Sequence, residues 1–384
     1  TVDISGTVVG TTVNVTLANN AVLKLSETDA DGATIGGTGN VTVNGLTATT
    51  NLANLSATGT HTGDISTTLD ISGNSNIAAL DAYVVAANAT ASLSAAQAQK
   101  DITLGSSAVA KLKVSTSTDV SSLTFDSDVT EFIVTSGTLT VSTAQATGRV
   151  ISGAGDVTVN ALAANANLAS VSASGTVTAN VADDLDYSAN TNIATVDAFV
   201  IAANKTGSFS AAQGAKTITL GSGAIAKVKV LTTSDISGTT LSGSVTKIDV
   251  SDNATASLSA AQAQLDITLG SSAVAKLKVS TGTDVSGLTL DSDVTEFIVT
   301  SGTLTVSTAQ ATGRVISGAG DVTVNALAAN ANLASVSASG TVTANVADDL
   351  DYSANTNIAT VDAFVIAANK TGSFSAAQGA KTIT

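Results

Sequence analysis

Aspartates in turn-like contexts are the only clustered side chains in this 384-residue sequence that could do chemistry. Ca²⁺ takes several oxygen ligands, and paired carboxylates next to free backbone carbonyls can supply them. Aspartate is also a common turn residue that keeps a protein soluble, so the clusters have an ordinary structural explanation as well. Calcium is therefore the one cofactor that the sequence suggests. The candidate ligands are Asp29, Asp31, Asp126, Asp128, Asp183, Asp184, Asp186, Asp291, Asp293, Asp348, Asp349 and Asp351.

Side chains for the common catalytic arrangements are scarce. The sequence has one histidine, His61, and no cysteine, so a repeated Ser-His-Asp or Cys-His site cannot form. A repeat copy has Val177 at the position of His61, which indicates a surface or strand residue. The glycines of residues 36–39 are not followed by the Lys-Ser/Thr of a phosphate-binding loop. Two arginines and no basic cluster disfavour a polysaccharide lyase, and we expect a non-enzymatic protein.

Threonine pairs with a spacing of two form a second candidate surface. On a flat solenoid face, rows of threonine resemble the ice-binding surface of β-solenoid antifreeze proteins. Equivalent positions elsewhere hold Ser92 and Ser94, so the row is interrupted. The alternative function is therefore a module that binds ice or polysaccharide through this face. The pairs are Thr138/Thr140, Thr176/Thr178, Thr303/Thr305 and Thr341/Thr343.

Composition limits the class of protein. Hydrophobic residues make up 43% of the chain but aromatic residues only 3%, which is typical of a thin core of small side chains. The net charge of −15 repels nucleic-acid backbones and anionic lipids, so neither is an expected partner. We expect no membrane insertion, because no apolar run reaches the roughly 20 residues that span a bilayer. The chain begins without Met and stops inside a repeat, and we interpret it as a window from a longer protein.

Long repeats organise the chain. Residues 88–219 and 253–384 align without a gap at an offset of 165, and an older offset of 116 relates residues 51–57 to 167–173. These offsets predict diverged N-terminal coils in residues 1–87, a first unit in 88–252 and a second, shorter copy in 253–384. The four differences between the near-identical copies are Lys100/Leu265, Ser117/Gly282, Ser122/Gly287 and Phe125/Leu290.

A shorter repeat predicts the fold. Apolar residues alternate in 132–134 and 139–141, which is the period of a β-strand. A Ser-x-Ala-Gln stretch follows and is too short for a stable helix, so we place it at a corner. The signature recurs every 23–24 residues, which predicts an all-β, elongated β-solenoid of about 16 coils, with seven coils in each 165-residue unit. Stacked at about 4.8 Å per coil, these would form a rod on the order of 75–80 Å long. A disordered low-complexity linker and an array of β-sandwiches are the alternatives, and the regular alternation and short step disfavour them.

The strings SLSAAQAQ, TVSTAQATG and SFSAAQGAKTITLG resemble the repeats of very large bacterial surface proteins of the adhesin and S-layer type. The resemblance implies secretion, a structural or adhesive role and, often, bound Ca²⁺. The chain departs from the calcium-binding nonapeptide type, because it has no Gly-Gly-x-Gly-x-Asp motif. The leading hypothesis is a structural protein of the bacterial cell surface, a filament, surface layer or adhesin stalk. Its expected partners are further copies of itself, end-to-end or lateral, and cell-surface polysaccharide.

Overall fold

Parallel β-strands stacked coil upon coil make up most of the structure. The computed structural model describes residues 1–7 and 14–384. The chain is an all-β solenoid of about 19 turns, which confirms the predicted fold class. Strand pairs such as 109–114 with 129–134 are parallel, because each coil returns the chain to the same side in the same direction.

The regular elements are short. The strands are β1 Val2–Asp3, β2 Asn14–Leu17, β3 Val22–Ser26, β4 Thr34–Gly37, β5 Asn40–Asn44, β6 His61–Ile65, β7 Leu69–Asp70, β8 Ala82–Val85, β9 Thr90–Leu93, β10 Asp101–Leu104, β11 Val109–Val114, β12 Thr118–Asp119, β13 Val129–Val134, β14 Thr138–Ser142, β15 Val150–Gly153, β16 Asp156–Asn160, β17 Val171–Ala173, β18 Val177–Val181, β19 Leu185–Asp186, β20 Ala198–Ile201, β21 Thr206–Phe209, β22 Thr217–Leu220, β23 Ile225–Val230, β24 Ser234–Asp235, β25 Val245–Val250, β26 Thr255–Leu258, β27 Asp266–Leu269, β28 Val274–Val279, β29 Thr283–Asp284, β30 Val294–Val299, β31 Thr303–Ser307, β32 Val315–Gly318, β33 Asp321–Asn325, β34 Val336–Ala338, β35 Val342–Val346, β36 Leu350–Asp351, β37 Ala363–Ile366, β38 Gly372–Ser373 and β39 Thr382–Ile383. The single-turn helices are α1 Glu27–Ala30, α2 Thr143–Ala146, α3 Ala211–Gly214, α4 Thr308–Ala311 and α5 Ala376–Gly379, with 3₁₀ turns at Gln97–Gln99, Thr191–Ile193, Gln262–Gln264 and Thr356–Ile358.

The chain divides into two compact units, and consecutive strands within each alternate between neighbouring sheets, except that β5 pairs directly with β6. The first unit comprises residues 1–182 and 190–200. Its ladders run β1-β3-β5-β6-β8-β10, β7-β9-β11-β13-β15-β17, β12-β14-β16-β18 and β2-β4. The second unit comprises residues 183–189 and 201–384. Its ladders run β19-β21-β23-β25-β27, β24-β26-β28-β30-β32-β34, β29-β31-β33-β35-β37-β39 and β36-β38.

The coil is shorter than the sequence pattern predicted. Leu112 pairs with Leu93 in the coil before it and with Phe132 in the coil after it, and Phe132 pairs in turn with Ile151. One coil is therefore the 19 or 20 residues between two such partners. The predicted step of 23–24 residues was wrong because it is too long, and the predicted number of about 16 coils was wrong because it is too small. The apolar signature skipped coils, because strands such as β10 begin with Asp101 rather than an apolar residue. At 19 or 20 residues per coil, the 165-residue repeat holds about eight and a half coils, not seven.

The interior is built from alternate residues of each strand. Phe132 and Val134 in β13 are fully buried, as are Leu139 and Val141 in β14, which confirms the predicted alternation. Branched aliphatic side chains and alanines make up most of the core, but its largest fully buried side chains are tyrosines and phenylalanines.

Two equivalent glycines let successive coils approach closely. Gly153 and Gly318 both have a φ of +113°. A Cβ on Gly153 would lie 2.2 Å from the carbonyl oxygen of Val134, and one on Gly318 would lie 2.2 Å from that of Val299. Both the backbone conformation and the available space therefore require glycine at the end of β15 and of β32.

Candidate functional site

The predicted calcium ligands of the second unit bond to neighbouring coils. Asp183 forms an ion pair with Lys205 at 3.2 Å, and its repeat equivalent Asp348 does the same with Lys370. Asp184 accepts a hydrogen bond of 2.6 Å from the backbone N–H of Thr206, and Asp349 accepts the equivalent bond from Thr371. Asp186 accepts from Lys229 at 2.8 Å, and Asp351 accepts from the N–H of Ser353. Most of these carboxylates connect coils instead of converging on one point.

The remaining candidate ligands make hydrogen bonds within their own turn or to a neighbouring coil. Asp29 is buried and accepts a 2.8 Å hydrogen bond from the Ser26 hydroxyl, while Asp31 accepts from the N–H of Asn51 at 2.7 Å. Asp126 and Asp291 accept from the backbone N–H groups of Asp128 and Asp293, both at 2.9 Å. Within residues 1–7 and 14–384, no three His, Cys, Asp or Glu side chains gather where one metal ion could bind. Calcium binding stays a prediction.

One loop recurs along the described part of the chain. In each Asp-x-Ser loop, the aspartate Oδ1 accepts a hydrogen bond from the backbone N–H of the serine two residues later. In the loop of residues 235–237 this bond is 3.1 Å long, and the Lys278 ammonium also donates to Asp235. The hydrogen bonds from Lys278 and the Ser237 hydroxyl hold the pKa of Asp235 below its ordinary value. The loops begin at Asp3, Asp70, Asp119, Asp186, Asp235, Asp284 and Asp351.

The Ser-x-x-Gln stretch forms a clamp at the corner. In the clamp of Ser142 and Gln145, the serine hydroxyl accepts from the glutamine N–H at 3.3 Å, and the glutamine Oε1 accepts from the serine N–H at 2.8 Å. This reciprocal pair is a capping box. The buried Nε2 then donates to the carbonyls of Val120 and Leu123, which follow Asp119 in the preceding coil, at 2.7 and 2.8 Å. One side chain thus closes its own corner and binds the coil before it.

The clamp recurs along both units. The same two-carbonyl contact is made by Gln97, Gln262, Gln310 and Gln378. The sequence correctly places Ser-x-Ala-Gln at corners, but the role of the glutamine amide was missed. A signal was present, since each of these glutamines follows the aspartate of an Asp-x-Ser loop at a nearly constant separation, as Gln97 follows Asp70.

His61 is a core residue of β6. Its side chain points inward with 5% exposure, and Nδ1 lies 2.9 Å from the carbonyl oxygen of Ala79. With Nδ1 as the donor, Nε2 is the acceptor, and this atom is buried without a hydrogen-bond partner. The prediction of a strand residue is confirmed, and the ring lies in the interior. His61 occupies the place that Val177 and Val342 take in the repeat copies.

The threonine rows are in register but short. Asp119, Thr140, Thr158 and Thr178 pair in succession along one ladder, so three threonines follow an aspartate. The row that passes through Thr138 is interrupted. Thr138 pairs with Asp156 in the next coil, so a carboxylate takes the place of a hydroxyl. The repeat copy has the same order, from Asp284 through Thr343. Ice or polysaccharide binding by this face stays a prediction.

Comparison of the chain with protein-family models, with curated proteins and with solved structures finds no match. Among the described residues, no helix has the length and apolar character needed to cross a membrane. Function must therefore be inferred from the coils and their contacts.

Proposed function

We propose that this chain is a non-enzymatic structural scaffold of a bacterial cell surface, part of a filament, surface layer or adhesin stalk. The observation that carries the proposal is the corner clamp. A glutamine amide such as that of Gln97 satisfies two carbonyls of the preceding coil, in addition to the backbone ladder. Side chains devoted to coil-to-coil contacts are what a rigid structural scaffold requires.

Charge pairs between coils support the same role. Lys111 pairs with Glu131 of the next coil at 2.7 Å, and Lys227 pairs with Asp249 at 2.6 Å. Single exposed pairs of this kind contribute little stability, typically below about 1 kcal/mol. Opposite charges on facing coils do favour the correct register, because a slip by one residue would turn these side chains inward. The polar side chains are thus used to fix the stacking order.

Assembly and an extracellular location complete the proposal. The resemblance of the corner strings to repeats of large bacterial surface proteins supports the location. Stacked repeats also suit growth by addition of like units, within one chain or between copies. We therefore propose self-association, end-to-end or lateral, as the main interaction of the protein.

The test is negative-stain electron microscopy of the purified protein, first with Ca²⁺ and then with a chelator. Fibres or a lattice are the expected result, and isolated particles under both conditions would contradict self-assembly. Loss of the assemblies in chelator would show that calcium is needed for them. The double variant D126N/D128N should then reproduce that loss in the presence of Ca²⁺ if this turn binds the ion.

Cell fractionation tests the location. An antibody raised against the purified chain should label intact cells of the source bacterium, and mild protease treatment of those cells should remove the signal. Labelling that needs cell lysis would contradict a surface role, whatever the microscopy shows.

A further inference from the structure

The two arginines occupy one distinctive environment, once in each unit. Arg149 lies over the ring of Phe132, with its guanidinium carbon 5.1 Å from the ring centroid, and Arg314 lies 5.3 Å from the centroid of Phe297. A cation over an aromatic face is held by attraction to the ring quadrupole. Each guanidinium thus rests on a fully buried core ring at the start of β15 or β32.

Backbone carbonyls fix the orientation of each guanidinium. Arg149 donates from Nη1 to the carbonyl of Gln145 at 3.3 Å. Arg314 donates from Nη1 to the carbonyl of Gln310 and from Nε to that of Val294, both at 3.1 Å. Arginine has five N–H donors in a rigid planar fork, so several donors on each side chain remain for another partner.

Neither arginine has an acidic partner, although the chain is strongly acidic. Among residues 1–7 and 14–384, no carboxylate lies within 4.0 Å of either guanidinium, whereas nine lysines form such pairs. Burial lowers the pKa of both arginines, and no neighbouring carboxylate counteracts it. Each guanidinium is half-buried, held in one orientation and not neutralised by a carboxylate. It can therefore bind an oxyanion through two parallel hydrogen bonds, and little side-chain entropy is lost on binding.

The surroundings favour a sugar acid. Thr130 and Thr147 are exposed on the two segments that hold Arg149, and both carry hydroxyls. Val150, the next residue, is 43% exposed, and its equivalent Val315 is 44% exposed. A uronate residue offers a carboxylate for the guanidinium, hydroxyls for the threonines and an apolar C–H face for the valine. We propose that Arg149 and Arg314 each anchor a uronate of an acidic polysaccharide.

Polygalacturonate is the probe for this site. Binding of the full chain is measured by isothermal titration in 0.15 M NaCl, where charges more than about 8 Å apart are largely screened. A chelator is present throughout, so that Ca²⁺ cannot bridge aspartates of the protein to the polymer. We expect the wild type to bind polygalacturonate and not its fully methyl-esterified form, which lacks the carboxylate.

Matched variants separate the effect of the planar, bidentate guanidinium from the effect of positive charge alone. R149K/R314K keeps both charges but loses the bidentate geometry, and should weaken binding at least about tenfold. K100Q/K381Q removes two lysines that form no ion pair within the described residues, and should bind within about twofold of the wild type. If R149K/R314K has a lower melting temperature, the single variants R149K and R314K should each halve the binding stoichiometry instead.

Several results would overturn the proposal. These are no binding by the wild type, equal binding of the esterified polymer, or equal losses in the arginine and lysine variants. Loss of self-association rather than polymer binding in R149K/R314K, measured by analytical ultracentrifugation, would instead assign the arginines to a carboxylate of a second copy. Electron microscopy of the assemblies does not depend on this polymer. If the protein fails to bind polygalacturonate, the scaffold proposal is therefore still decided by the microscopy.

Discussion

At the scale of single residues, His61 is the side chain that fits its place least well. Its Nε2 is buried without a partner, and an unsatisfied buried polar atom costs about 1–3 kcal/mol. The carbonyl of Ala79, which its Nδ1 contacts, is in a half-exposed residue and can be hydrated without it. We predict that H61V raises the free energy of unfolding by about 1 kcal/mol, measured by urea denaturation.

The repeat supplies the reciprocal control for this prediction. Val342 occupies the equivalent position in the second unit and is buried. V342H should introduce the same unpaired ring nitrogen and lower the stability by a comparable amount. If H61V is destabilising, the contact of His61 with Ala79 contributes more than the unpaired nitrogen costs.

At the scale of elements, the corner clamp makes the sharpest prediction. In Q145E, the carboxylate can still accept from the N–H of Ser142 but cannot donate to Val120 or Leu123. Two carbonyls lose their donor and a negative charge is buried beside them, at a cost of roughly 3 kcal/mol. Because stability in stacked repeats is largely a nearest-neighbour property, we expect the coil of residues 117–125 to open locally.

Hydrogen exchange can detect this opening within one molecule. The equivalent segment, residues 282–290, keeps its intact clamp through Gln310 and serves as the internal control. Three of the four differences between the copies lie in these segments, so their peptides differ in mass. Faster exchange in 117–125 alone is expected, and equal exchange in both segments would contradict a clamping role for Gln145.

The sequence predicts elements better than it predicts their spacing. The alternation in β13 and β14 directly reports which side chains face the core, so the strands were predictable. The coil length was not, because strands such as β10 start with a charged residue and escape an apolar pattern. The clamp partners of Gln97 are backbone carbonyls of the preceding coil, so the sequence marks the contact only through the nearly constant separation between each glutamine and the aspartate of an Asp-x-Ser loop. The sequence shows Arg149 only as one of two arginines, since its contact with Phe132 depends on the fold.

At the scale of the whole molecule, carboxylates couple stability to pH in two opposing ways. Hydrogen bonds from the serine hydroxyl and N–H lower the pKa of aspartates that begin Asp-x-Ser loops, as at Asp119. A lowered pKa means that the unfolded chain binds more protons, so this stability is complete above about pH 4 and is lost as the pH falls. The aspartates with a lowered pKa are Asp3, Asp70, Asp119, Asp186, Asp235, Asp284 and Asp351.

Asp64 has the opposite effect. Burial raises its pKa, so the folded chain binds its proton more readily, and the stability falls as the pH rises through that range. The repeat copies have Asn180 and Asn345 here, and each donates a 2.8 Å hydrogen bond to an asparagine of the preceding coil. We therefore predict that D64N raises the free energy of unfolding at pH 7 and leaves it nearly unchanged at pH 3.

The two classes of carboxylate can be separated by one series of measurements. Urea unfolding at pH 7, 4 and 3 should show the wild type losing stability on acidification, because seven aspartates with a lowered pKa outweigh one with a raised pKa. D235N should lower the stability at pH 7, and its difference from the wild type should shrink as the pH falls through the lowered pKa of Asp235, since protonation removes the same charge that Lys278 and Ser237 bind. At pH 7, D64N should have a higher free energy of unfolding than the wild type. If both variants shift stability equally at every pH, their effects come from packing, and the coil-to-coil hydrogen bonds of the aspartates do not depend on charge.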